Sequence, residues 1–320
     1  MLSRVAENLY WMARYLERAE DTARLLRVTR HLMLDYPGTP TLGWASLITI
    51  TGDDELFSSH YDRRDEASVL AFLCLDRAYG GSILSALGAA RENLRTTREV
   101  MPREIWEEIN QLYLTVGNYL ASGIAQRRLD DFLRMVIRGC QTINGLIEGT
   151  LSHGPARRFC NIGRELERAD MTTRILDVRS ANLLPRSPED RTPFENLQWM
   201  SVLKSLSAHQ MYRQRVRARV RGADVVRFVL QDTDFPRAIY RCLDDLCRVF
   251  QSLGRHDNAM NCTLGQRDAL LAADVGRLAA SPDELNAFID GLQVGFGAIH
   301  QSIAATWFAG VDAPAPVLSD

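Results

Sequence analysis

Glu17, Glu20 and Asp21 stand in one run, Tyr10 to Leu26 (YWMARYLERAEDTARLL), interleaved with Arg14, Arg18 and Arg24. Carboxylates and guanidiniums so placed can do three kinds of work. They can neutralise one another in a core and fix the register of what packs there. They can line a polar cavity, the acids serving as acid, base or cation ligand while the arginines hold an anion. Or they can be plain surface ion pairs. Helical phase adds a detail: at about 100° per residue, Leu9, Leu16 and Ala23 mark the centre of an apolar stripe, and Glu20 lies within about 20° of it. A carboxylate therefore sits in the buried face. Tyr10, Arg14, Glu17, Asp21 and Arg24 share one flank, so that Arg14 reaches Glu17, while Glu17 and Asp21 reach Arg24. Arg18 points away, roughly opposite the stripe.

The constellation returns 150 residues later in CNIGRELERADMTTRIL, from Cys160 to Leu176. Arg164, Glu167, Arg168, Asp170 and Arg174 then occupy the positions of Arg14, Glu17, Arg18, Glu20 and Arg24. Phe159, Leu166 and Thr173 line the second stripe, Asp170 interrupts it, and Arg164, Glu167 and Arg174 form its flank. If the two helices cross at a twofold axis, these charges converge. The candidates for catalysis are therefore Glu17, Glu20, Glu167 and Asp170, and those for binding substrate or partner are Tyr10, Arg14, Arg24, Arg164 and Arg174. A di-metal carboxylate centre would need Glu-x-x-His pairs; none of the six histidines stands three residues after a Glu, so no metal site is expected.

The elements that must position these groups follow the same doubling. From Ser3 an amphipathic pattern runs to Asp35, Tyr36, Pro37 and Gly38, which predicts one helix of about thirty residues. A helical stretch from Trp44 to Phe57 is answered by Trp199 to Tyr212 at an offset of 155. VLAFLCLD, ending at Asp76, is answered by VVRFVLQD, ending at Asp232, at an offset of 156, and each Asp is expected to cap the helix that follows. Phe132, Ile143, Ile147 and Thr150 match Phe288, Ile299, Ile303 and Thr306 at that same offset. Period-two alternation of β-branched residues is missing. The expectation is an all-α fold of ten to twelve helices in a single domain over residues 1–310, with repeats of about 1–150 and 151–308 related by a pseudo-twofold axis. A flexible tail over 311–320, VDAPAPVLSD, follows.

Composition narrows the function classes. A net charge of −2 gives no general pull toward nucleic acid or anionic membrane. The densest basic stretch, YRQRVRARVRG, spaces its arginines by two and so builds no continuous phosphate-tracking stripe on a helix. Six scattered cysteines without a C-x-x-C pair read as reduced buried thiols of a cytoplasmic protein, and no run of about 18 apolar residues is present to span a membrane. Walker A, G-x-G-x-x-G and G-x-S-x-G patterns are absent, so no nucleotide cofactor is expected.

The opening MLSRVAENLYWMARYLERAEDTARLL, the later FCNIGRELERADMTTRILDVRSANLL and the paired FLCLD and FVLQD segments resemble the Alpha-E domain family of bacterial proteins. The resemblance implies an all-helical domain, encoded beside or fused to a circularly permuted ATP-grasp ligase and often near a transglutaminase-like peptidase. Its motif positions fall here on Arg14, Glu17, Arg18 and Glu20, then Arg164, Glu167, Arg168 and Asp170. The leading expectation is a partner protein of an amide ligase that binds the ligase or its peptide or amino-acid substrate. The alternatives are an enzyme acting on amide bonds through the paired carboxylates, and a structural module forming a homodimer through an exposed apolar face.

Overall fold

The computed structural model describes residues 1–35, 43–121, 126–183 and 195–309. The stop signals Tyr36, Pro37 and Gly38 and the tail 311–320 lie outside the described residues. The expected opening helix is α1, Ser3–Asp35. It is followed by α2 (Ala45–Thr51), α3 (Asp54–His60), α4 (Glu66–Cys74), α5 (Ile83–Arg95), α6 (Arg103–Ala121) and α7 (Leu129–Thr150). The second long helix is α8, Pro155–Leu183. After it come α9 (Glu195–Ser205), α10 (His209–Val216), α11 (Gly222–Gln231), α12 (Ile239–Gln251), α13 (Asp257–Ala272), α14 (Val275–Ala280) and α15 (Pro282–Ile303). No strand occurs among the described residues.

Among the described residues fifteen α-helices stand against the ten to twelve expected, because breaks fall where hydrophobic periodicity runs on. Gly52, at φ +79°, closes α2 in the left-handed region, and its N–H donates to the carbonyls of Ile48 and Thr49. Ser207 does the same work after α9 at φ 55°. Asp76 and Asp232 do not cap the helices that follow them, whose N-cap positions are Ser82 and Ala238. Asp76 accepts the backbone N–H of Ala78, and Asp232 accepts those of Asp234 and Phe235, so both fold the loop before the next helix. The cap of α5 is Ser82, whose hydroxyl accepts the Ser85 N–H at 3.1 Å. The arginine-dense stretch leaves the helix early: α10 ends at Val216, Arg217 turns left-handed at φ 51°, and Arg213 to Arg221 face solvent.

Two central helices carry the packing. α1 lies against α8, α5 and α7, while α8 lies against α1, α12 and α15; α6 covers α5 and α7, and α13 covers α12 and α15. The stripe expected on α1 is the core face, with Leu9, Leu16 and Ala23 sealed from solvent together with Leu166 and Thr173 of α8. No helix among the described residues is long and apolar enough to cross a membrane. The six cysteines are free thiols, five of them buried.

The closest approach of the central pair is at Gly163 on α8, where a Cβ would run into the carbonyl oxygen of Tyr10 on α1. That obstacle is backbone and cannot swing aside. Alanine gains about 1 kcal/mol over glycine in a helix interior, but overpacking costs about 1–3 kcal/mol and here forces the helices apart. Gly163→Ala is therefore expected to lower the thermal unfolding midpoint by several degrees, measured by circular dichroism, whereas Gly145→Ala, which meets nothing within 4 Å, raises it or leaves it unchanged.

Candidate functional site

The two Glu-Arg pairs meet where α1 crosses α8, and they exchange partners. Arg168 Nε donates to Glu17 Oε1 at 2.9 Å, and Arg18 Nε donates to Glu167 Oε1 at 2.6 Å. Arg14 Nε adds a second donor to Glu167, at 2.6 Å from Oε2. Arg14 does not turn to Glu17 on its own helix, and Arg18 does not point away. α8 passes on the side that a single-helix projection leaves to solvent, and both long side chains reach across to it. Both glutamates are sealed, with Glu17 at 0% exposure. Burial pushes each carboxyl up, but Arg168 and Arg237 outweigh it at Glu17, and Arg14 and Arg18 at Glu167, holding each at about 2.

A residue that sequence reasoning missed completes the first half of the network. Arg237, in the loop between α11 and α12, donates to Asp21 Oδ1 at 2.8 Å and lies 2.6 Å from Glu17 Oε1 and 3.4 Å from Glu20 Oε1. Glu20 also takes Arg24 Nη2 and the Gln141 amide, and Asp21 takes Arg24 Nη1 at 2.7 Å. Burial lifts the Asp21 carboxyl to about 6; Arg237 opposes that shift and the neighbouring Glu17 adds to it. The signal was present in the sequence, since the offset of 156 that pairs Asp76 with Asp232 also pairs Gly81 with Arg237.

At the matching sequence position Gly81 makes room for the Tyr79 side chain, and beside it a cavity of about 330 Å³ is bordered by Glu167, Asp170, Arg174 and Arg18. Asp170 is paired with Arg174 at 3.0 Å and keeps 18% of its side chain exposed, whereas Glu20 has 2% of its surface left. Arg24 borders a separate cavity of about 380 Å³ with His31 and Lys204. Glu17, Glu20, Tyr10 and Arg14 border neither of these cavities, nor the one of about 750 Å³ described next.

A cavity of about 750 Å³ lies on the outer face of α8 between the end of α7 and α12. It is bordered by Arg164 and Arg168 of α8, by Arg157 and Arg158 in its first turns, and by Arg248 of α12, with Glu148, Glu165 and Asp245 between them. Arg164 bonds Glu148 at 2.8 Å and Glu165 at 3.0 Å, and Arg157 is paired with Glu148. Burial, with Glu165 nearby, lifts the Asp245 carboxyl. The counterpart of Arg164 on α1, Arg14, has no such opening. Trp11 covers it, with the guanidinium carbon 5.1 Å from the ring centroid, and Tyr10, Tyr15 and His300 pack around that ring. The Tyr10 hydroxyl accepts from Arg14 at 3.0 Å and meets His300 Nδ1 at 2.8 Å; burial, against the pull of Arg14, holds the phenol at about 12.

A family model described as a predicted alpha-helical domain with a conserved ER motif matches residues 1–308. An uncharacterized protein of Mycobacterium bovis is 27% identical over 262 residues, which cover 76% of this chain and 29% of that protein. Uncharacterized proteins of two Mycobacterium tuberculosis strains align over the same length at 27% and 26% identity. The chain thus spans less than a third of the length of these curated relatives. No solved structure matches it.

The charge network dictates two outcomes. Arg237→Leu strips a shared cation from three buried carboxylates and is expected to cost about 3–5 kcal/mol in urea unfolding, with Arg237→Lys recovering part of it. The pH dependence has two arms of opposite sign. Glu17 and Glu167, held at about 2 against an ordinary 4.5, contribute stability that is present above pH 4.5 and lost as pH falls toward 2. Asp21, raised from 3.8 to about 6, contributes stability below pH 3.8 that is lost as pH rises through 6. Thermal midpoints should therefore rise from pH 7 to about pH 5 and fall steeply below pH 4, and Asp21→Asn should shrink the rise while leaving the acid fall.

Proposed function

The chain belongs to the Alpha-E family, and from that premise we propose that it is a non-catalytic helical partner of a circularly permuted ATP-grasp amide ligase, binding the ligase or presenting its peptide or amino-acid substrate. One observation carries this reading: each acid of the doubled motif is already held by guanidiniums of the fold. Glu17 has Arg168 and Arg237, Glu20 has Arg24 and Arg237, Glu167 has Arg14 and Arg18, and Asp170 has Arg174. A general acid or base works best with a pKa near the working pH, and carboxylates held at about 2 exchange protons poorly at pH 7. The Glu-Arg motif then serves assembly, and the open polar face of α8 is left for recognition.

In this reading ATP activation belongs to the ligase, the chain works in a bacterial cytoplasm, and a transglutaminase-like protein is a further partner. That the mycobacterial relatives carry this stretch within a longer chain is what a module working beside others would show. The same reading takes the two halves as a duplication about a pseudo-twofold axis. It is supported by the reciprocal Glu-Arg exchange, by the left-handed turns at Gly52 and Ser207, and by the loops folded on Asp76 and Asp232.

The test is co-purification of the tagged chain with the ATP-grasp protein encoded next to it, followed by ligase turnover with and without the chain. Association with a several-fold gain in turnover is expected. Neither association nor any change in turnover would sink the partner reading. Loss of a turnover intrinsic to this chain in Glu17→Gln, with the melting temperature intact, would establish the enzyme reading in its place.

A further inference from the structure

The 750 Å³ cavity on the outer face of α8 falls within the roughly 300–1000 Å³ typical of small-molecule sites. Five arginines and three carboxylates border it, and two of the arginines are paired with acids outside it, Arg168 with Glu17 at 2.9 Å and Arg248 with Asp244 at 2.7 Å. Arg158 donates to the backbone carbonyl of Ser252 at 2.8 Å, a neutral partner, and it stands in the first turn of α8, whose free N–H groups add positive potential. Those features ask for an anion.

The floor asks for something else. Glu165 is 4% exposed, and its Oε1 takes Arg164 and Arg168 at 3.0 and 3.3 Å, but its buried Oε2 has no hydrogen-bond partner. Asn161 Oδ1, one turn earlier on the same helix, is likewise buried and unpartnered. Both residues border the cavity; the two oxygens are themselves covered from solvent, and buried acceptors cost free energy until a donor reaches them.

The other half of the molecule shows what a plain structural solution looks like. At the offset of 150, Asn161 and Glu165 answer Trp11 and Tyr15, and at 156 Asn144 answers His300. On the α1 side Trp11 stacks on Tyr15 at 5.6 Å and meets His300 edge-on at 5.3 Å, covering the space beside Arg14. On the α8 side all three positions hold a polar residue and the space stands open.

We propose that this cavity binds a small acid carrying a free ammonium, an amino acid or the amino-terminal end of an acidic peptide. The ammonium is taken by Glu165 Oε2 and Asn161 Oδ1, and the carboxylates by Arg158 and Arg248. This names the substrate class within the substrate-presenting reading above and rests on it for biological meaning, but the binding is a property of the isolated chain.

The experiment is isothermal titration calorimetry of the whole chain with the dipeptide L-Glu-L-Glu, with its N-acetyl derivative and with inorganic phosphate. The dipeptide should bind saturably at one site per chain. N-acetylation, which removes the ammonium, should weaken it by about tenfold or more, since charge-assisted hydrogen bonds carry at least that much. Arg158→Ala and Arg248→Ala should each weaken it several-fold, and Arg248, with a side chain 59% exposed, serves where the first variant folds poorly. Equal affinity for the N-acetyl dipeptide or for phosphate would overturn the proposal in favour of an unspecific anion site. No heat with the dipeptide, or binding indifferent to Arg248→Ala, would overturn it outright. If the chain still co-purifies with the ligase in that case, the partner reading stands and only the ligand assignment fails.

Discussion

The exchange of Glu17 and Glu167 for each other's arginine, across the crossing of α1 and α8, is the contact on which the rest of the molecule depends. A carboxylate taken out of water must meet a fixed positive charge or become neutral. Here each helix carries the answer to the other's charge. An apolar pair of equal volume would hold the helices as firmly, because the desolvation of buried ions offsets most of their attraction. What the ionic pairs add is direction: each glutamate meets a guanidinium of the other helix. The contact requires the backbones to come close, which Gly163 permits, and it requires a dry surround, which α5, α7, α12 and α15 provide.

The two sides of that crossing are not equivalent, and the differences are paired. Asp21 on α1 faces Arg237; at the matching positions α8 has Met171 and the facing loop has Gly81. A charge and its partner have thus changed together, so neither side holds an uncompensated buried ion. At Gly81 the Tyr79 ring takes the room a side chain would need, and a cavity of about 330 Å³ lies beside Asp170. The sealed side places three acids around Arg237, which explains how Asp21 retains a raised pKa while touching two arginines: Glu17 and Glu20 already draw on the same positive charge.

Much of this was legible in the sequence. The period of 150 to 156 residues, the apolar stripe through Leu9, Leu16 and Ala23, and the intrusion of Glu20 into it all follow from one-dimensional spacing, and α1 and its buried acid stand where that spacing puts them. Partners were harder to read. Phase on a single helix assigns Arg14 to Glu17 and sends Arg18 to solvent, because it has no knowledge of which neighbour arrives on which side. Both residues turn to Glu167 of α8 instead. Arg237 escaped because it sits in a loop, outside any periodic pattern, and only a residue-by-residue comparison of the two loops exposes it against Gly81. The cavity on α8 escaped for a related reason. A hole is defined by absent side chains, and its signature is the substitution of Trp11, Tyr15 and His300 by Asn161, Glu165 and Asn144 at positions where the pattern of charged residues is unchanged.

That unchanged pattern explains why one face of α8 can open without the fold giving way. Arg164 corresponds to Arg14, yet the two are anchored differently: Arg14 reaches inward to Glu167, and Arg164 turns outward to Glu148 and Glu165. Only one of them is needed at the crossing, since Glu17 Oε1 already takes Arg168 together with Arg237. Arg237 therefore does more than close the first half. By supplying the second cation to Glu17, it frees Arg164 from the crossing and lets the outer face of α8 shed its aromatic cover. The sealed network on one side and the polar cavity on the other are then a single arrangement, in which a loop arginine takes over the register contact and a helix arginine, itself still largely buried, turns to the acids beside the cavity.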